Sequence, residues 1–238
     1  MEKSMVAPES EKKVAAMFDR IAPTYDFLNR LLSARQDERW RRQMLAWVPR
    51  IKDGSFCDVA TGTGDVVLRA HKNLSSYKKF SGVDISTEML AIAKKKAASR
   101  DADISFGVMS AENLEFEDNS FDCLTISFGL RNVVDKAKAI HEFARVLRPG
   151  GAFLVLEFFP PSRGFFSSMF QFYFHKILPF IGSIFSDKEA YAYLPKSVES
   201  FYSFIDFKLA CEKAGLSVTR HKTYLFGSCR LIKVIKTV

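Results

Sequence analysis

The sequence predicts an α/β fold: a mostly parallel sheet with helices on both faces. Short runs rich in apolar, β-branched and aromatic residues recur between Ser55 and Phe158. Helical stretches of 10 to 15 residues separate them, and the first two runs end in acidic or glycine-bearing turns. A chain of 238 residues, 47% hydrophobic and 26% charged, suits one domain with extensions and excludes wholesale disorder.

Residues 1–17 are polar, with a helix starting near Glu9. From Ala22 to Val48 the reading is helical, broken around Ser33–Asp37, so residues 1–50 form a helical lid before a main domain at 51–238. The first strand is Ser55–Ala60, followed by the turn Thr61-Gly62-Thr63-Gly64 and a helix from Asp65 to Leu74. The second strand, Phe80–Val83, ends at Asp84, and Ser86 is placed to cap a helix through Ala98 with Glu88 in its first turn. The third strand is Ile104–Val108 and the fourth is Phe121–Ser127. Asp135 caps a helix to Leu147, which Arg148-Pro149-Gly150-Gly151 stops before the fifth strand, Ala152–Phe158. Residues 159–205 break the alternation and read as a helical insertion. After a helix near Phe207–Ala214, strands at 216–222 and 229–235 finish the sheet.

No run of about 18 uncharged apolar residues occurs, so a membrane-spanning helix is not expected. Met1-Glu2-Lys3-Ser4 opens no secretory signal. Cysteines at 57, 123, 211 and 229 lie 66, 88 and 18 residues apart, spacings that fit reduced thiols in a cytoplasmic protein. The lone histidines 71, 141, 175 and 221 form no metal site. The net charge of +8 resides in the flanks: residues 51–160 hold 14 basic and 15 acidic groups, residues 161–238 hold 11 and 5. The run Lys94-Lys95-Lys96 reads as a solvated helix face.

Ligands of open parallel sheets sit at the carboxyl ends of the strands, near the switch in strand order. Asp58 to Gly64 supplies an acidic strand end and a glycine turn there, with Gly62, Thr63 and Gly64 as binding candidates. Asp84 follows 20 residues after Gly64, where a carboxylate can accept both ribose hydroxyls of a nucleoside. A dinucleotide asks for a third glycine and a helix start free for pyrophosphate, but Val67 and Asp65 stand there. S-adenosylmethionine carries no phosphate, so these residues favour it over a nicotinamide cofactor. Polar residues at two further strand ends, Ser110-Ala111-Glu112 and Ser127, complete the constellation.

The segment Ser127-Phe128-Gly129-Leu130-Arg131-Asn132-Val133-Val134-Asp135 resembles the signature of the ubiquinone/menaquinone biosynthesis C-methyltransferase family. Phe18 to Ala22, Tyr25-Asp26, Asn29, Trp40 to Arg42, Leu156 to Phe158 and Tyr193-Leu194 with Ser197 extend the resemblance. The resemblance implies a Rossmann-like class I S-adenosylmethionine-dependent methyltransferase acting on carbon of a prenylated quinol, a demethylmenaquinol or ubiquinol precursor. It places Thr63 in the donor turn, Asp84 on the ribose, Ser110 and Ala111 beside the adenine, and Ser127 near the methionine part. The sequence departs from the family at Ala60, where many methyltransferases have glycine, at Ala34 to Asp37, and at Gly227 to Leu231.

Methyl transfer to carbon needs an aligned, electron-rich ring, and a fixed cation near the quinol oxygen stabilises the phenolate. Arg131 is the candidate, with Asn132 as a second donor and Tyr25, Asp19 and His175 as helpers; the plain alternative for Arg131 is an ion pair with Asp135. Losing Arg131 is then expected to spare donor affinity and abolish turnover. Seven phenylalanines between Gly164 and Ser186 suit an isoprenoid tail, and the basic C-terminal third suits the anionic inner face of a membrane better than nucleic acid. A homo-oligomer is compatible with the sequence. The rival functions are an O- or N-methyltransferase on a small molecule or lipid, and a non-catalytic subunit that keeps the fold.

Overall fold

The computed structural model describes residues 9–160 and 188–237. In chain order these form α1 (Glu9–Leu32), α2 (Gln36–Leu45), β1 (Gly54–Val59), α3 (Asp65–Asn73), β2 (Tyr77–Asp84), α4 (Thr87–Ala98) and β3 (Ser105–Val108). There follow β4 (Phe121–Ser127), a 3-10 turn (Leu130–Asn132), α5 (Lys136–Val146), β5 (Leu147–Phe158), α6 (Lys188–Glu199), α7 (Phe204–Lys213), β6 (Leu216–Tyr224) and β7 (Cys229–Lys236). The seven phenylalanines of 165–185 and His175 lie outside the described residues, as does most of the expected insertion; its described part contains α6. Among the described residues no helix is long and apolar enough to cross a membrane.

The strands join one sheet in the order β3-β2-β1-β4-β5-β7-β6. The first five are parallel, and β7 pairs antiparallel with both β5 and β6. The chain switches sides at β1, whose neighbours are β2 and β4, so a crevice opens beyond the carboxyl ends of β1 and β4.

Alternation along the strands builds two cores. Cys57, Val59, Leu124, Ile126, Phe153 and Val155 meet α5 and α7 through Ile140, Phe143, Phe207 and Cys211. Phe56, Cys123, Leu154 and Leu156 meet α2 and α3 through Trp40, Met44, Val66 and Val67. All four cysteines are buried in this double layer. Trp40 is a core ring within 6.5 Å of the rings of Phe128, Phe158 and Tyr224, not part of a cover over the crevice.

The caps lie where the sequence put them. Ser86 Oγ accepts from the Met89 amide at 3.1 Å, and Asp135 Oδ1 accepts from the Lys138 amide at 2.9 Å. Several boundaries differ, and the one around Arg148 changes the reading of a segment. The helix stops before Arg148, but the strand already begins at Leu147, which pairs with Phe121; the register shifts across Arg148–Gly151 and resumes with Ala152 on Cys123. The segment read as a turn before the strand is therefore an irregularity within it.

Candidate functional site

Below the crevice, β1 and β4 bury a carboxylate. Asp58 is 1% exposed and accepts from Thr61 Oγ1 at 2.7 Å and Thr125 Oγ1 at 2.6 Å. Burial pushes its pKa up to about 6, against the pull of the two hydroxyls. Asp58 thus braces the start of the glycine turn from beneath.

Above it, the turn folds onto the end of β2. Asp84 Oδ2 accepts from the Gly62 amide at 2.8 Å, and Oδ1 from the Ser86 amide at 2.9 Å. Each carboxylate oxygen can accept a further bond, and Asp84 lines the crevice. Burial raises its pKa, against the stabilising backbone amides. Gly64 is left-handed (φ +82°) and a Cβ there would lie 3.0 Å from Ala93 Cβ, so the turn requires glycine to reach α4.

The crevice forms a cleft that is partly open to solvent. It runs across four strand ends: Met109 and Ala111 after β3, Asp84 and Ile85 after β2, Ala60 after β1, and Ser127, Phe128 and Gly129 at β4, with Asn132 beyond. One wall comes from α1, through Glu11, Val14, Phe18 and Tyr25. Two polar atoms on this lining, Ser127 Oγ and Asn132 Oδ1, are buried without a hydrogen-bond partner. Such atoms cost about 1–3 kcal/mol each unless a ligand satisfies them. A nucleoside bearing a charged amino-acid arm fits this set: a carboxylate for a diol, apolar walls for a base, and unused polar atoms at the far end.

Of the residues singled out from sequence, Tyr25, Asp84, Ala111, Ser127 and Asn132 line the cleft. Gly62 and Gly64 shape its floor. Ser110 donates its hydroxyl to Glu11. The Thr63 hydroxyl donates to Asp26 of α1 at 2.6 Å and receives Lys96 Nζ at 3.0 Å. Lys96 also binds Asp26 at 2.6 Å and Asp65 at 2.9 Å, so the expected solvated lysine face holds only for Lys94 and Lys95. The carboxylates of Asp26 on α1 and Asp65 on α3, with the Thr63 hydroxyl of the glycine turn, recruit the third lysine.

Arg131 is not on the cleft lining. Its guanidinium lies 2.7 Å from Glu157 Oε1, donates to the Phe128 carbonyl at 2.6 Å and reaches Ser197 Oγ at 3.3 Å. Glu157, not Asp135, is its partner, because β5 runs beside β4 and puts Glu157 next to the β4 end. Asp19 accepts from Ser86 Oγ at 2.6 Å and fastens α1 to α4. Burial raises the Tyr25 phenol above its ordinary value despite Arg41 and Arg131, so Tyr25 is a neutral phenol. Sequence reasoning missed Glu11, and it took Glu157 as part of a motif without pairing it with Arg131. The seven-residue spacing of Glu11, Phe18 and Tyr25 would have put the first on the same helix face as the others.

The pyrophosphate position is occupied by the chain itself. Asp65, at the start of α3, is held by Arg41 at 3.1 Å, Arg30 at 3.2 Å and Lys96. Burial would raise its pKa, but Arg41, Lys96 and Arg30 outweigh it and hold it below the ordinary value. An anionic ligand there would meet a carboxylate.

Ala60 and Gly129 fit as a pair. Ala60 is left-handed (φ 51°), a strain of about 1 kcal/mol for a residue with a Cβ. A Cβ on Gly129 would lie 2.6 Å from Ala60 Cβ, though Gly129 has ordinary helical dihedrals. Gly129→Ala is expected to destabilise by about 1–3 kcal/mol, and Ala60→Gly to restore most of that in the double variant; denaturant melts of the four proteins read the coupling.

Donor binding should depend on pH through Asp84. Its raised pKa means that the carboxylate takes up a proton before a free aspartate would, and the neutral acid loses acceptor strength. Affinity for S-adenosylhomocysteine is expected to fall as pH drops, beginning above the usual carboxylate range near about 3.9. Calorimetry at several pH values checks this, and Asp84→Asn should flatten the dependence.

Residues 6–236 match the model of the ubiE/COQ5 methyltransferase family. The chain is 43% identical over 221 residues to the ubiquinone/menaquinone biosynthesis C-methyltransferase UbiE of Geotalea daltonii, covering 92% of this chain and 94% of that protein. It is 43% identical over 212 residues to the demethylmenaquinone methyltransferase of Thermus thermophilus, covering 89% and 96%. Among solved structures, an S-adenosylmethionine-dependent methyltransferase from Aquifex aeolicus superposes with a TM-score of 0.59 at 17% identity, covering 84% of this chain and 89% of that one. One from Mesorhizobium loti gives 0.60 at 19%, covering 82% and 96%. The fold is the Rossmann-like class I methyltransferase fold, and the chain belongs to the ubiE/COQ5 methyltransferase family.

Proposed function

We propose that this chain methylates a ring carbon of a prenylated quinol, a demethylmenaquinol or ubiquinol precursor, with S-adenosylmethionine as donor. The observation that carries the reading is the cleft across the strand ends, with Asp84 at one point and two unsatisfied polar atoms at another, in a member of this family. The donor, when bound, supplies an electrophilic methyl group. Asp84 would accept from the ribose diol, Ala111 and Met109 would face the base, and Ser127 with Asn132 would hold the amino-acid arm. Tyr25 can donate its phenol hydrogen to a quinol oxygen and so stabilise negative charge as the ring becomes nucleophilic. Arg131 acts behind it, its positive charge felt at the Tyr25 hydroxyl while its hydrogen bonds hold the Phe128 carbonyl and Glu157. Thr63 serves through α1, by its bond to Asp26.

Residues 1–50 serve as the lid in this reading. Its first helix contributes Glu11, Phe18 and Tyr25 to the cleft wall, and Asp19 and Asp26 tie it to α4 and the glycine turn. A covered cleft excludes water from a reactive sulfonium. Contact with an anionic leaflet rests on the +6 charge of residues 161–238.

The test is incubation of the protein with methyl-labelled donor and demethylmenaquinol. Label on a ring carbon is the expected result. Label on oxygen, or none while the donor binds, overturns the proposal.

A further inference from the structure

We infer that Glu11, on the first helix, reads the exocyclic amine of the donor's adenine, so that the lid helix itself selects an adenine nucleoside. This rests on the donor-site reading above and goes beyond it, because it assigns base selection to a residue outside the sheet.

Only two carboxylates line the cleft among the described residues, Asp84 and Glu11. Asp84 closes β2. Glu11 sits over the end of β3, where it takes the Ser110 hydroxyl and shares the wall with Met109 and Ala111. Ser127 and Asn132, which suit the charged arm, lie on the opposite side of β1. A nucleoside with its sugar on Asp84 and its arm toward β4 therefore projects its base past β3. The β2 and β3 ends are locked together there by the Met109 amide on the Asp84 carbonyl at 3.1 Å.

The state of Glu11 calls for a donor. It is 9% exposed, lines the cleft and accepts the neutral Ser110 hydroxyl on Oε1, with no cation paired to it among the described residues. A buried carboxylate without a cation needs N–H or O–H donors. An exocyclic amine offers two hydrogens and no positive charge to clash with nearby groups. The other carboxylate near β3, Glu112, is already used: its Oε1 accepts from the Asp135 amide at 2.8 Å. A carboxylate only accepts hydrogen bonds, so where it faces the 6-substituent it favours an amino group over an oxo group. Ser110 can donate or accept and does not make that distinction.

The test titrates the full chain with S-adenosylhomocysteine and with S-inosylhomocysteine, its 6-oxo analogue. The wild-type protein is expected to prefer the adenosyl ligand by roughly 10- to 100-fold, the range of one hydrogen bond to a charged group. Glu11→Gln keeps the shape and adds a donor, and should cut that ratio by about 10-fold or more. If both affinities fall together and the ratio stays, Glu11 only supports the helix, and the inference is overturned. If the wild-type protein binds neither ligand, the donor-site reading itself fails and takes this inference with it.

Discussion

Replacing Arg131 with alanine is expected to destabilise the protein by about 3–5 kcal/mol, the cost of leaving a buried carboxylate without its cation. Glu157 is fully buried, and Arg131 is 2.7 Å away with only a tenth of its side chain exposed. The same guanidinium holds the Phe128 carbonyl, whose residue sits left-handed at φ 60° beside the cleft. The sequence alone suggested a variant that binds donor normally and fails to turn over. The buried pair instead implies a loss of folding first. Arg131→Met with Glu157→Leu should regain part of the stability: an apolar pair of similar volume can replace a buried ion pair, while the Phe128 carbonyl and the Arg131 and Phe158 amides lose their side-chain partners. Turnover in that double variant then isolates the chemistry. A stable protein that binds donor and does not methylate assigns the cation to the reaction, and full activity assigns it to the fold. Urea melts and a labelled-methyl assay make both measurements.

Replacing Asp84 with alanine is expected to weaken S-adenosylhomocysteine by roughly 100- to 10,000-fold. Two hydroxyls on a carboxylate contribute about 1.5–3 kcal/mol each, and each 1.4 kcal/mol is a factor of ten. Part of the loss would come from the turn, since Asp84 also anchors the Gly62 and Ser86 amides. Asp84→Asn separates the contributions: its one carbonyl keeps an acceptor, the charge is gone, and the melting temperature reports whether the turn survived. Calorimetry on the three proteins should rank wild type, asparagine and alanine in that order. Equal affinity in all three would remove Asp84 from the site.

Much of this was legible from local pattern. β4 spans Phe121–Ser127 as read, because its apolar run starts sharply after the polar stretch Glu117-Asp118-Asn119-Ser120. Asp84 and the caps Ser86 and Asp135 were legible because their chemistry is set by position in one element. β2 starts at Tyr77, three residues earlier than expected, because Gly54 pairs with Tyr77 and Ser55 with Lys79, the register shift between them leaving Lys78 without a partner in the ladder. What stayed hidden was long-range. Glu11 meets Ser110 across 99 residues, and Lys96 meets Asp26 across 70. In sequence both look like ordinary charged helix positions. The Arg131 partner lay at intermediate range: Asp135 is nearer along the chain, but the parallel register of β4 on β5, Ser127 on Leu156, puts Glu157 closer in space.

Glu11, Phe18 and Tyr25 form a ruler, three marks on one rod at intervals of two helical turns. Splicing a single extra residue into the rod between the first two marks would rotate everything before it by about 100°, swinging the first mark toward solvent while the third stayed in place. Splicing in seven would keep the face but slide the first mark beyond the rim by about 10 Å. The length of this stretch thus sets the cleft wall as firmly as the identity of its side chains does.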